Sequence, residues 1–140
     1  MIYIDSSVIA AYYCPEPLST KAEQIIRAET RPALSDLTEV ELFSAVSRKM
    51  RSRELSRDAA ERIAAQFLAH LDSALYTRIA LDRRHYQLAR DWLGRFSTPL
   101  RSLDALHLAV AHGHSVPVLT ADRQLVRAAR KLGVRARLVS

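Results

Sequence analysis

The chain has 140 residues, a length typical of one domain, and 49% of them are hydrophobic, which excludes a disordered chain and allows a sizeable core. Three glycines, five prolines and the single Cys14 exclude a collagen-like chain and an internal disulfide framework. The net charge is +6, and arginine dominates the cations because only Lys21, Lys49 and Lys131 are lysines.

The basic composition has two interpretations. Arginine is well suited to phosphate oxygens and bases, so the excess favours a nucleic-acid partner. The same excess also fits cations spread over a solvated surface. The uncharged run from Ser6 to Pro15 is too short to span a bilayer, and no signal-peptide pattern follows Met1. We expect no membrane segment and, with one cysteine, a reducing cytoplasmic setting.

The first half of the chain alternates short apolar runs with helical apolar spacing. Ile2–Ile4 predicts the first strand, and a second strand is expected about thirty residues later. Two consecutive helices then occupy a place where one would connect the next strand. The predicted elements are strand Ile2–Ile4, a helix ending before Pro15, a helix begun by Ser19 or Thr20, strand Pro32–Ser35, a helix from Asp36 or Thr38 to about Arg51, and a helix capped by Ser56.

The second half continues the alternation. The predicted elements are strand Tyr76–Leu81, a helix begun by Asp82, the loop Ser97–Pro99, a buried helix Leu103–Ala111 capped by Ser102, strand Val116–Leu119, a helix from about Asp122 to Leu132 with Gly133 after it, and a half-exposed edge strand within Val134–Val139. This alternation favours a parallel sheet covered on both faces. We therefore expect an α/β protein, a three-layer α/β/α sandwich, with residues 1–140 forming one domain.

Four acidic residues follow the predicted strands. Asp5 ends the first strand, Asp122 follows the fourth, Glu41 lies early in the helix after the second, and Asp104 lies early in the helix after the loop. Ligands bind at the carboxyl ends of the strands in open α/β sheets. Capping is the competing explanation, because carboxylates in a first helical turn interact favourably with the helix dipole, and Thr38 to Glu41 also fits a capping box.

Taken together, the four acids indicate a metal site. Carboxylates that converge would repel one another unless a cation neutralises them. Oxygen ligands without a Cys or His cluster favour Mg²⁺ or Mn²⁺ over zinc. Such an ion binds phosphate oxygens and lowers the pKa of a water to make a nucleophile. A basic chain with such a site points to phosphodiester cleavage.

Four segments in register resemble the successive motifs of PIN-domain ribonucleases, and in particular the VapC toxins of toxin–antitoxin pairs. They are Ile2–Ser7, Ser35–Leu42, Leu103–Ala109 and Leu119–Asp122. The resemblance covers essentially the whole chain. It implies a parallel five-stranded sheet and a Mg²⁺- or Mn²⁺-dependent endoribonuclease acting on RNA, usually a homodimer held inactive by a VapB antitoxin.

The resemblance also assigns residues. The positions that match the acidic quartet of the family are Asp5, Glu41, Asp104 and Asp122. Ser6 and Thr120 match the small hydroxyl positions beside the first and last acids. Glu39 competes with Glu41, but Glu41 directly precedes Leu42, which begins the buried stripe as the family pattern requires.

Four arginines are candidates for RNA contacts. Arg48 and Arg51 share a helix face with Glu41, although cations in a last helical turn also complement the helix dipole. Arg101 and Arg123 adjoin the predicted acidic site. His107 lies near Asp104 on an apolar helix, where a hydrogen-bonded core histidine is the expected role, and it is left out of the predicted chemistry.

Two other function classes remain open from the residues. A phosphoryl-transfer domain of similar topology is disfavoured, because haloacid-dehalogenase-type phosphatases need an acid where Ser7 lies and receiver domains need adjacent acids at the first strand. The other alternative is a non-catalytic module that binds nucleic acid or a partner and whose acidic residues only cap helices.

Overall fold

The structure is a computed structural model and describes residues 1–140. It contains five strands and seven helices. In chain order they are β1 Ile2–Ile4, α1 Ser6–Tyr13, α2 Ser19–Ala28, β2 Pro32–Ser35, α3 Asp36–Arg51, α4 Arg57–Asp72, β3 Thr77–Ile79, α5 Arg83–Leu93, α6 Ser102–Gly113, β4 Val118–Thr120, α7 Arg123–Lys131 and β5 Ala136–Leu138.

All five strands belong to one parallel sheet with the order β3-β2-β1-β4-β5. This confirms the predicted α/β fold and the edge position of the last strand. The chain moves outward from β1 through β2 to β3, and then returns to the other side of β1 for β4 and β5. The strand order therefore reverses between β1 and β4, the point at which open α/β sheets bind ligands beyond their carboxyl ends.

The two faces of the sheet pack against different helices. Ile2 and Ile4 of β1 belong to a core that includes side chains from α1 to α4, whereas Tyr3 belongs to a core built with α5, α6 and α7. Successive residues of a strand point to opposite faces, so a three-residue strand serves both cores. The arrangement is the predicted three-layer sandwich.

The boundaries of two strands differ from the prediction. β4 begins at Val118 rather than Val116 and extends to Thr120, because Pro117 has no N–H to donate and only its carbonyl joins the ladder, accepting from Tyr3 N at 2.9 Å. β3 is shorter than Tyr76–Leu81, because only Thr77, Arg78 and Ile79 pair with β2.

Two other expectations are confirmed. Helix α6 is buried from Ala105 through Ala111, and Gly133 follows α7 with a φ of +72°. A glycine adopts this left-handed conformation without the steric penalty of a Cβ atom. None of the seven helices has the length and apolar character needed to cross a membrane.

Candidate active site

Asp5 links the ends of the two central strands. Its Oδ2 accepts a hydrogen bond from Thr120 Oγ1 at 2.6 Å, and Thr120 is the last residue of β4. Its Oδ1 accepts from the backbone N–H groups of Ser7 and Val8, and so caps α1. Asp5 is thus fixed at the point where the strand order reverses.

Burial dominates the electrostatics of Asp5. The residue is only 5% exposed, and loss of water raises the pKa of its carboxyl. Nearby His107 and the hydrogen bonds from Ser7 and Thr120 act in the opposite direction. Burial has the larger effect, and the hydrogen-bond donors offset part of its cost to the ionised carboxylate.

Ser7, rather than the predicted Ser6, is the hydroxyl beside Asp5. Ser7 Oγ donates to Asp5 Oδ1 at 2.6 Å and accepts from the Ala121 N–H at 3.0 Å. Ser6 lines a neighbouring cleft without bonding Asp5. One sequence signal for this role existed: an N-cap aspartate accepts from groups two and three residues later, which places Ser7 within its reach. Thr120 lies where it was predicted.

Asp122 caps the last helix. Its Oδ1 accepts from the N–H groups of Gln124 and Leu125 at 2.8 and 3.4 Å, and its own N–H donates to Thr120 Oγ1 at 3.0 Å. Thr120 therefore joins two of the predicted acids, since the same hydroxyl donates to Asp5 and accepts from Asp122. The other oxygen of Asp122, Oδ2, is left without a protein partner.

Asp104 lies in the first turn of α6 and shares a cleft with Asp122. We call this concavity the aspartate cleft, and Arg101 and Gln124 also line it. Burial raises the pKa of Asp104, and the negative charges of Asp122 and Asp5 raise it further, whereas His107 and Arg101 oppose the shift. Three predicted acids are thus near enough to repel one another, the condition under which a cation is favoured.

Glu41 lies on the other side, in a second concavity that we call the glutamate cleft. Its lining includes Ser6, Ser7, Arg48 and Leu103. The Glu41 side chain is 22% exposed, and its Oε1 bonds Nε2 of the buried His107. In the tautomer that has its proton on Nε2, His107 donates this hydrogen bond to the carboxylate.

His107 connects Glu41 to the centre of the sheet. Its Nδ1 bonds the Tyr3 hydroxyl at 2.6 Å, and that hydroxyl also contacts Ser35 Oγ at 2.8 Å and Thr38 Oγ1 at 3.3 Å. The expectation of a hydrogen-bonded core histidine is confirmed, but its partner is a predicted site residue. Three residues separate Asp104 from His107, which brings His107 onto the same face of α6.

Glu39 does not compete for the site. Its carboxylate accepts two hydrogen bonds from the Arg78 guanidinium, at 2.8 and 3.0 Å, across to β3. The capping box at the start of α3 also differs from the one considered above, since it joins Ser35 and Thr38. Both Glu39 and Glu41 are therefore free of a capping role.

The four candidate arginines have different surroundings. Arg48 lines the glutamate cleft and Arg101 the aspartate cleft. Arg51 is exposed and donates from Nη1 to Ser47 Oγ at 2.7 Å, one turn back on α3. Arg123 is exposed at the first residue of α7, beside Asp122.

Capping hydrogen bonds account for half of the acidic set. Asp5 and Asp122 cap α1 and α7, but the carboxylates of Asp104 and Glu41 accept no hydrogen bond from a helix terminus. Asp104 lies in the first turn of α6, where the helix dipole favours a carboxylate, whereas Glu41 lies beyond the first turn of α3. Of the four acids, only Glu41 therefore has no explanation at a helix terminus.

The donor set fits Mg²⁺ or Mn²⁺ in its chemistry. All four predicted ligands are carboxylates, and the repulsion that raises the pKa of Asp104 would be relieved by a cation. No three His, Cys, Asp or Glu side chains lie close enough in this structure to hold an ion together. Mg²⁺ commonly binds through one or two carboxylates and retains several waters, which matches the pair in the aspartate cleft.

Sequence comparison identifies the family. The sequence model of the PIN domain matches residues 2–131, and the chain belongs to the PIN domain family. It is 33% identical over 136 residues to the ribonuclease VapC46 of Mycobacterium tuberculosis, an alignment that covers 95% of this chain and 93% of that protein. The resemblance to VapC proteins inferred from the four motifs is confirmed.

Solved structures show the same fold. The VapC20 toxin of Mycobacterium tuberculosis, which cleaves the sarcin–ricin loop, matches with a TM-score of 0.72 at 19% identity, covering 91% of this chain and 95% of that one. VapBC2 of Rickettsia felis, bound to a DNA fragment from its promoter, matches with a TM-score of 0.71 at 14% identity over the full length of both chains. FitAcB of Neisseria gonorrhoeae has a TM-score of 0.72 at 21% identity, with 97% and 96% covered.

Proposed function

We propose that this chain is a Mg²⁺- or Mn²⁺-dependent endoribonuclease, whose single domain spans residues 1–140. The observation that carries the proposal is the aspartate cleft, which both Asp104 and Asp122 line, near enough to each other and to the buried Asp5 for their charges to interact, in a chain of net charge +6. Nothing in the protein neutralises these carboxylates fully, so the site favours a divalent cation and, through it, a phosphate. The VapC ribonucleases among its relatives support RNA as the substrate.

In this proposal Asp5, Glu41, Asp104 and Asp122 form the acidic site, and Asp104 and Asp122, which line one cleft, would hold the ion directly. When bound, the ion would lower the pKa of the attacking water and neutralise charge that develops on the phosphate. Ser7 and Thr120 hold Asp5 in place and oppose the rise in its pKa, and His107 fixes the rotamer of Glu41. Arg48, Arg51, Arg101 and Arg123 are proposed to bind the RNA backbone on either side.

The direct test is cleavage of a structured RNA by the purified chain. We expect cleavage with Mn²⁺ or Mg²⁺ and none with EDTA. Asp5→Asn removes one ligand charge while it retains the oxygen that caps α1, so activity should fall at least about 100-fold without unfolding. Asp58→Asn, which alters an exposed carboxylate on α4, is the matched control and should cleave normally. Normal cleavage by Asp5→Asn would exclude this assignment.

The non-catalytic alternative remains a second candidate because Asp5 and Asp122 do cap helices. A module of that kind would have no reason to bind Mg²⁺. The nuclease should gain thermal stability from Mg²⁺, because a ligand that binds only the folded chain stabilises it. A melting temperature that Mg²⁺ leaves unchanged, together with no cleavage, would favour the binding module.

We further propose a toxin role in the cytoplasm, as a homodimer controlled by a VapB-like antitoxin. Related complexes include VapBC-1 of nontypeable Haemophilus influenzae and VapBC of Salmonella typhimurium bound to DNA. A peptide that offers a cation to the acidic site and apolar side chains to nearby helices would block the chain. The exposed Leu103, which lines the glutamate cleft, provides an apolar contact for it.

The toxin role is tested by growth of a bacterial host. Induction of the wild-type chain should arrest growth, Asp5→Asn should not, and co-expression of the small protein encoded beside the toxin should restore growth. Light scattering of the purified chain measures whether it is a dimer. Equal growth with the wild-type and Asp5→Asn chains would exclude a toxin that acts through this site.

A further inference from the structure

A basic groove lies beside the aspartate cleft. Arg127, Arg130 and Lys131 of α7 form one wall, Thr98 and Pro99 of the loop before α6 form the other, and the groove encloses about 410 Å³. All three cations are exposed. None of the predicted site residues lines this groove, so it lies outside the acidic edge described above.

The basic groove and the aspartate cleft are continuous. They share three lining residues, Pro99, Gln124 and Ala128. Together they form a trough that follows α7 from Asp122 at its beginning to Lys131 at its end. At a rise of 1.5 Å per residue, this path is about 13 Å long.

The groove face of α7 has a regular pattern. Gln124, Arg127, Ala128 and Lys131 are spaced by three, four and seven residues, and such residues lie on one side of a helix. The small Ala128 leaves the space between the two cations open. Attraction to the helix dipole explains cations in the last turn, Arg130 and Lys131, but not Arg127 in the middle of the helix.

The cations of the groove are also unpaired. Arg27, Arg57 and Arg78 each form an ion pair with a glutamate, but no acidic side chain pairs with Arg127, Arg130 or Lys131. A row of unpaired cations that begins next to an acidic cleft matches a chain of phosphates, one of which lies at a metal ion. An acidic peptide would gain from the cations only.

We propose that the trough binds single-stranded RNA, with Arg127 and Lys131 contacting phosphates on one side of the bond that is cleaved. This inference rests on the nuclease function proposed above and names the path of its substrate. The guanidinium of Arg127 matches two phosphate oxygens at once, whereas Lys131 acts as a point charge. Contacts to phosphates carry no sequence information, so these residues position RNA without selecting its bases.

The test compares two double variants of equal charge. The groove variant combines Arg127→Ala with Lys131→Ala and removes two cations from the groove. The control variant combines Arg62→Ala with Lys21→Ala and removes one arginine and one lysine from exposed, unpaired positions on α4 and α2. Binding of a short fluorescein-labelled oligouridine is followed by anisotropy in EDTA over a series of KCl concentrations. Thermal unfolding of each variant checks that it remains folded.

We expect the groove variant to lower the slope of log K against log salt by roughly 1.4, about 0.7 for each lost phosphate contact, and the control variant to leave the slope near that of the wild type. With Mn²⁺ and low RNA concentration, cleavage by the groove variant should fall by the same factor as its binding. Equal slopes for the two variants would overturn the proposal.

Two further outcomes separate this proposal from the function on which it rests. A wild-type chain that cleaves RNA while both variants bind oligouridine equally well contradicts the groove and leaves the nuclease intact. A wild-type chain that cleaves no RNA with Mn²⁺ contradicts the nuclease, whatever the slopes show. Binding of oligoglutamate that depends on Arg127 and Lys131, without an effect on oligouridine, would assign the groove to an acidic peptide.

Discussion

Asp5 and Asp104 are both acidic residues at the carboxyl edge of the sheet, but the protein surrounds them differently. Asp5 accepts hydrogen bonds from two hydroxyls and two backbone N–H groups, and Glu41 on the same side is bonded by His107. We call Asp5 and Glu41 the bonded half of the site. Asp104 and Asp122 form the open half. The only hydrogen bonds to their carboxylates are the two that Asp122 Oδ1 accepts.

The two halves of the site differ in how the protein treats their carboxylates. In the bonded half, the donors fix each carboxylate before any ligand arrives, and Ser7 and Thr120 also tie β1 to β4. In the open half, burial and the repulsion from Asp122 raise the pKa of Asp104, and His107 and Arg101 offset this rise only in part. A site that is rigid on one side and electrostatically unsatisfied on the other favours a cation without rearrangement of the chain.

The largest effect on stability is expected from Asp5→Ala. It removes the cap of α1 and leaves the hydroxyls of the buried Thr120 and the half-buried Ser7 without this acceptor, so the free energy of unfolding should fall by about 2 kcal/mol. Asp104→Ala removes no hydrogen bond and should change that free energy by under about 0.5 kcal/mol. Urea unfolding in EDTA measures both. Equal losses would show that the two halves do not differ.

The next effect concerns the bond between His107 and Glu41. His107→Gln keeps an amide donor near the position of Nε2, whereas His107→Asn keeps only a group near Nδ1, which faces Tyr3. We expect the Asn variant to cleave RNA about tenfold more slowly than the Gln variant, since supporting hydrogen bonds of a metal ligand commonly contribute 10- to 100-fold. A purely structural histidine would instead give two variants with equal cleavage rates and equally reduced stability.

A smaller effect is expected in the pH dependence of stability without metal. The pKa of Asp104 is raised above its ordinary 3.8, so the folded chain holds this proton to a higher pH than the unfolded chain does. The free energy of unfolding of the wild type therefore falls as pH rises through that raised pKa. The Asp104→Asn variant has no such carboxyl group, so its free energy of unfolding does not fall in this way.

The measurement is the difference between the two chains in EDTA across acidic to neutral pH. As pH rises, the free energy of unfolding of Asp104→Asn should increase relative to that of the wild type. The increase should be under about 1 kcal/mol, because the Asp104 carboxyl is partly solvated. Addition of Mg²⁺ should favour the wild type and reverse the order. Parallel curves would show that Asp104 is not under strain from its neighbours.

The order of the elements and the sheet were predictable because each strand and helix has a local apolar period. The hydrogen-bond partners of the site residues were less predictable from the sequence. The reach of an N-cap aspartate favours Ser7 over Ser6, but the hydrogen bond from the Ala121 N–H to Ser7 Oγ joins residues 114 positions apart, and no local pattern predicts it. The bond from His107 to Glu41 joins residues 66 positions apart, and no local pattern encodes such a contact.

The smallest predicted effect distinguishes two arginines of α3 that the sequence treats alike. Arg48 lines the glutamate cleft and has no ion pair, whereas Arg51 donates to Ser47 on its own helix. If RNA also passes the bonded half, Arg48→Ala should lower the salt slope of oligouridine binding by roughly 0.7, and Arg51→Ala should lower it by less than half of that. The same anisotropy series measures both. A slope unchanged in both variants would assign the two arginines to the helix dipole and leave the basic groove beside the open half as the path of the RNA.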